Sequence, residues 1–120
     1  MTKPTSDCPI EVRFEGLSTA AANTAAEELR RHLDQATSGT ASFKIKNDRT
    51  DTQDFGATLV IVLGTPAVLA IAKGIHDFIA KRGNRVTIMT PNGKIVATGD
   101  ASHNIDVAKT VEALSQVTDA

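Results

Sequence analysis

Eighteen consecutive residues, Phe55 to Ala72 (FGATLVIVLGTPAVLAIA), carry no charge. In a chain of 120 residues such a run has three destinations: the centre of the core, another protein, or lipid. A chain of this length makes one domain and buries roughly 65% of the surface its unfolded form exposes. The run reaches the lower end of transmembrane length, but Gly64, Thr65 and Pro66 interrupt its middle. With four Phe, no Tyr and no Trp, the core has to be built from Val, Ile, Leu and Ala.

The formal net charge of -1 gives no electrostatic footprint for nucleic acid. The single cysteine, Cys8, excludes an internal disulfide and a multi-cysteine metal site. Residues 1–9, MTKPTSDCP, are polar, with no apolar segment after them of the kind a secretory signal needs. They are expected to be a disordered leader, with Cys8 in the tail, on a cytoplasmic protein.

Beyond the leader, Ile10, Val12 and Phe14 alternate with Glu11, Arg13 and Glu15, the period of a strand with one buried face. Gly16 ends it, and Ser18 is placed to cap a helix over 19–36 with an apolar stripe of Ala22, Ala25, Ala26, Leu29 and Leu33. Gly39 suits the exit. A second strand follows, Ala41, Phe43 and Ile45 on one face and Ser42, Lys44 and Lys46 on the other. Its cationic face would complement Glu11 and Glu15 if the two strands were neighbours. Asn47 to Asp54 contains no apolar residue and is expected to be a loop.

Leu59 to Leu63 is apolar on every side, so periodicity does not separate a central strand from a buried helix; the expectation leans to helix, broken at Gly64–Pro66. Thr65 as cap and Pro66 at the first helical position start a clear helix. Its stripe is Val68, Ile71, Ala72, Ile75, Phe78 and Ile79, and Lys81, Arg82 and Gly83 close it. Asn92-Gly93 between RVTIMT and KIVAT predicts a hairpin, and Asn104 is placed to cap a last helix through Val117. The order β-α-β-α-β-β-α predicts an α+β fold over residues 10–118, a mixed four-stranded sheet with about three helices mainly on one face.

No catalytic constellation accompanies these elements. His76 and Asp77 are adjacent on a helix and point about 100° apart. His32 sits on a solvated helix face, and His103 in the loop before the last helix, so the three histidines form no zinc set. Glu27 and Glu28 read as solubilising. A strand–Gly64-Thr65-Pro66–helix turn would offer helix N–H groups to an anion if Leu59–Leu63 were a strand, but no Gly-rich loop or Lys-Ser/Thr follows. Lys81, Arg82 and Arg85 form a small basic cluster beside the apolar run.

The apolar Ala57–Leu63 segment, the long helix closing in Phe78-Ile79-Ala80-Lys81-Arg82-Gly83, the Asn92-Gly93 hairpin and the short final helix together resemble the effector-associated constant component family of bacterial conflict loci. The resemblance spans about residues 10–117; Phe78-Ile79 stands where the family usually has a Trp-Leu pair. It implies a non-enzymatic adaptor in anti-phage immunity or programmed death, encoded beside a caspase-like or trypsin-like peptidase, with no catalytic residue, metal or cofactor. On that reading the segment 55–80 is an apolar interface to a partner or a second copy. Its expected contact residues are Leu59, Val60, Val62, Leu63 and Val68, with Lys81 and Arg82 beside them. The alternative is a membrane-active, pore-forming effector whose apolar segment is released by the peptidase, bringing the protein to the membrane on activation.

Overall fold

The computed structural model describes residues 8–47, 57–64, 67–90 and 93–119. They form β1 (Cys8–Glu15), α1 (Thr19–Thr37), β2 (Ala41–Asn47), β3 (Ala57–Leu63), α2 (Val68–Arg82), β4 (Arg85–Met89), β5 (Ile95–Gly99) and α3 (Val107–Asp119). The α+β class holds. Among the described residues the sheet has five strands rather than four, in the order β2-β3-β1-β4-β5, and every neighbouring pair is antiparallel rather than mixed.

The fifth strand is Ala57–Leu63, where a helix was expected. It pairs with β1 on one side and β2 on the other. Four of its seven residues, Thr58, Val60, Ile61 and Val62, are β-branched and suit a pleated surface flanked by strands. β3 therefore separates β1 from β2, and the anticipated Glu11/Glu15 to Lys44/Lys46 pairing does not form across adjacent strands. β1 and β2 run parallel with β3 between them, joined by α1; β3 and β4 run parallel with β1 between them, joined by α2. Two interleaved split β-α-β units of this kind are the ferredoxin-like arrangement, here extended by β5 and α3.

The register carries the core across the sheet. Ile45, Leu59, Val12, Ile88 and Ala97 lie in one row through all five strands, and Phe43, Ile61 and Ile10 in the next. Ala22, Ala25, Ala26, Leu29 and Leu33 of α1 and Val68, Ile71, Ile75, Phe78 and Ile79 of α2 close over that face as one buried cluster. The Phe14 and Phe78 rings meet edge to face, with centroids 6.1 Å apart. Two glycines mark close approaches, Gly74 to a side chain and Gly99 to a backbone. A Cβ on Gly74 would lie 2.3 Å from Leu33 Cδ2, and one on Gly99 would lie 2.6 Å from the backbone N of Ile105.

Caps follow side-chain chemistry more than spacing. Ser18 Oγ accepts the Ala21 N–H, as expected. α1 leaves through Ser38 and Gly39, both at positive φ. α2 closes on Gly83, whose N–H donates to Ile79 O. It opens at Val68 behind Ala67, later than the expected Thr65–Pro66 start; those two residues lie outside the described ones. α3 is capped by Asp106, whose Oδ1 accepts the Lys109 N–H. Asn104 does something else: its Nδ2 donates to His76 O, tying the loop to α2. The hairpin forms as predicted, with Gly93 at φ 95; Pro91 and Asn92 lie outside the described residues, as do most of the expected 47–54 loop and residues 1–7 of the leader. Cys8 and Pro9, expected in the leader, belong to β1 and pair with Leu63 and Val62.

Candidate interaction surface

Antiparallel pairing places alternate residues of each strand on opposite faces of the sheet. The face away from the helix cluster carries Glu11, Arg13 and Glu15 on β1, and Ser42, Lys44 and Lys46 on β2. It also carries Thr58, Val60 and Val62 on β3, and Thr87 and Met89 on β4. None of the described helices packs on it; the residues that α1 and α2 bury belong to the other face.

The seven residues expected to form an interface therefore divide. Leu59 and Leu63 point into the core and are fully buried, and Val68 is buried at the start of α2, so none of these three offers a contact surface. Strand period is the reason: a residue pairing in register with Val12 or Ala41 shares its inward face. Val60 is half-buried and Val62 is 37% exposed, both on the open face. Lys81 and Arg82 lie at the far end of α2, among the helices. Arg82 is engaged there: its Nη1 hydrogen-bonds Glu28 Oε1 of α1, and its guanidinium lies 5.9 Å from the Phe78 ring centroid. Arg85, third member of the expected basic cluster, lies 3.9 Å from Glu15 and 3.7 Å from Asp100. The cluster is thus largely neutralised by carboxylates.

The open face has its own electrostatics. Arg13 Nη2 is 3.4 Å from Glu11 Oε1, and Thr87 Oγ1 donates to Glu15 Oε2 at 2.8 Å. These pairs occupy the middle of the sheet, on β1 and β4. Val60 lies between Lys44 and Glu11, and Val62 between Ser42 and Pro9. On the far side of β1, Met89 pairs with Ile95, which is 59% exposed beyond a shift in register. Sequence patterning missed Met89 and Ile95, because a hairpin signal says nothing about which face a residue takes after a bulge. Among the described residues the open face carries no aromatic side chain for a nucleobase to stack on.

Polar side chains gather elsewhere without converging. A groove of about 210 Å³ between α1 and α2 is lined by Glu28, His32, Asp77, Phe78, Lys81 and Arg82, with Glu28 and Arg82 already paired. His76 Nδ1 comes within 3.6 Å of Asp77 Oδ1, closer than their helical directions suggested. Glu27, expected to be solubilising, holds Arg30 at 3.0 Å. No group of three His, Cys, Asp or Glu among the described residues is placed to hold a metal. Leu59–Leu63 being a strand meets one condition for the anion turn, but Thr65 and Pro66 fall outside the described residues.

His103 belongs to a capped loop, as expected. Asp100 Oδ1 accepts N–H bonds from His103 at 2.8 Å and Ser102 at 2.9 Å, and these, in that order, with Arg85 nearby, hold its carboxyl below the ordinary aspartate value. A depressed carboxyl stabilises the fold above its unfolded value, and that contribution is lost as pH falls through the folded one. We expect the loop to keep its hydrogen bonds through mildly acidic pH and to release them only below the usual aspartate range. A carbon-detected NMR titration of the Asp100 carboxyl checks this; a midpoint at the ordinary value contradicts it.

No family model, no curated protein and no solved structure matches the chain. Among the described residues no helix is long and apolar enough to cross a membrane.

Proposed function

We propose that this chain is a non-enzymatic interaction module that docks a protein partner through the open face of its sheet. One observation carries the reading. The open-face positions of β1 and β2 are mostly charged, namely Glu11, Arg13, Glu15, Lys44 and Lys46, but those of β3 include Val60 and Val62. Valines on a sheet face that no described helix covers contribute nothing to the core. An apolar strip rimmed by charge is what a partner-binding face requires. The resemblance to effector-associated components of bacterial conflict loci supplies the biological setting we propose. The partner would then be a caspase-like or trypsin-like peptidase encoded beside this chain, and the module its adaptor.

Val62 is the residue to test, being the more exposed of the two. Val62→Lys is expected to change stability by no more than about 0.5 kcal/mol, as surface substitutions do. It is expected to weaken capture of the peptidase encoded nearby at least tenfold, about 1.4 kcal/mol. Calorimetric titration with a melting curve on the same sample reads both. Unchanged affinity in a folded Val62→Lys protein contradicts the proposal.

A further inference from the structure

The two edges of this sheet differ in their readiness to accept another strand. β5 has five residues, a register shift opposite Ile88/Met89, and Gly99 at its end. Bulges and short length blunt an edge. β2 has seven residues, no proline, and an unbroken register with β3 from Ala41↔Leu63 to Asn47↔Ala57. Among the described residues it is the outermost strand on its side, and its backbone donors and acceptors pointing away from β3 meet no further described strand.

The side chains of β2 are also incomplete. Ala41, Phe43 and Ile45 pack against the core cluster but are only partly buried, and no described strand lies beyond them. On the other face Lys44 and Lys46 are exposed. The other charges of the open face are engaged, Glu11 with Arg13 and Glu15 with Arg85 and Thr87, whereas Lys44 and Lys46 make no ion pair among the described residues.

Lysines on an edge commonly discourage pairing. They discourage it selectively: a strand with acidic residues opposite them gains cross-strand charge pairs, and any basic strand is repelled. We propose that β2 takes up an extended segment of a partner as an antiparallel sixth strand. That segment alternates acidic residues, facing Lys44 and Lys46, with apolar residues, facing Phe43 and Ile45. Main-chain hydrogen bonds supply affinity and the alternation supplies specificity. A second copy of β2 is the wrong occupant, because it would set lysines beside lysines. The inference rests on reading the chain as an interaction module, and it names the chemistry of the partner.

The test uses the whole chain and two synthetic heptapeptides, one alternating Glu with Val and one alternating Lys with Val. The Glu peptide is expected to bind and to slow hydrogen exchange of alternate amides within Ala41–Asn47. Its affinity should fall at least about tenfold in K44E/K46E, as two attractive cross-strand pairs become repulsive. The same variant should gain affinity for the Lys peptide. A melting curve establishes that it is folded, and K44Q/K46Q, with intermediate affinity expected, serves if it is not. Failure of the Glu peptide to bind, binding indifferent to the charge reversal, protection at Ile95–Gly99 instead, or a wild-type dimer paired through β2 would each overturn the inference. Val62→Lys separates the two proposals. If it abolishes peptidase binding while the Glu peptide fails at β2, only this inference falls. If the Glu peptide binds at β2 and Val62→Lys leaves the peptidase bound, the open-face reading falls instead.

Discussion

Ile75→Asp is expected to unfold the domain. Ile75 is fully buried in the middle of α2, on the stripe that runs from Val68 to Ile79 and closes on the sheet. The substitution removes an aliphatic side chain from a packed site, which alone costs about 2–5 kcal/mol when a buried Ile is truncated. It then leaves a carboxylate in an environment of Leu, Ile and Phe. The group escapes only by taking a proton or by opening the helix–sheet contact, and either adds several kcal/mol. Domains of this size hold about 5–15 kcal/mol in all. Far-UV circular dichroism should show lost secondary structure at room temperature, with no cooperative melt on heating. An Ile75→Asp protein that melts like the wild type would mean that α2 does not pack on the sheet.

The second large effect comes from a residue with no side chain. Gly99, the last residue of β5, passes so close to the loop before α3 that a Cβ would lie 2.6 Å from Ile105 N and 2.7 Å from Ile105 Cγ2. A backbone atom cannot rotate out of the way, so Gly99→Ala has to displace the whole Asp100–Ile105 connection. That connection is held by the Asp100 side chain at one end and by the Asn104–His76 bond at the other. Overpacking against such a site costs about 3 kcal/mol, the upper part of the usual range. The melting temperature should fall by about 10 °C or more. Gly74→Ala is the informative contrast. Its new methyl crowds Leu33 Cδ2, a side-chain end, with His32 Cδ2 and Leu33 Cγ at ordinary contact distance, and gains about 1 kcal/mol of helix propensity in exchange. Gly99→Ala should therefore be clearly the worse of the two, and equal melting temperatures would contradict the geometry.

How far these features were legible in the sequence depended on contrast between the two sides of each element. β1 and β2 alternate apolar with charged residues, and their inward residues Ile10, Val12, Phe14, Phe43 and Ile45 were assigned correctly. The stripes of α1 and α2 and the Ser18 and Gly83 caps were equally visible. β3 was not. Its outward residues Val60 and Val62 are apolar, whereas the outward residues of β1 and β2 are mostly charged, and this erased the period-two signal that would have marked a strand. The same substitution of valine for charge is what gives the open face its apolar strip, so the candidate site hid the element that carries it. The α3 start was misplaced for a different reason: Asn104 and Asp106 are both good capping residues, and only the contact of Asn104 with His76 shows which one is used elsewhere.

Most of the described residues of the apolar run belong to the core. Leu59, Ile61, Leu63, Val68, Ile71 and Ile75 spend their apolar surface inside one domain. Releasing β3 to another environment would strip both β1 and β2 of a partner, since β3 lies between them. Among the described residues of the run, those that face outward are Val60, Val62 and, on α2, the exposed Leu69 with Ala70 beside it.

The most direct test of the central claim is an amide chemical-shift map of the isotope-labelled chain with and without the peptidase encoded beside it. The largest changes are expected on Val60 and Val62, on Glu11 and Arg13 beside them, and on Met89, with little change at His32 and Asp77 in the groove between the helices. Changes concentrated on that helix groove, with the open face of the sheet silent, would contradict it.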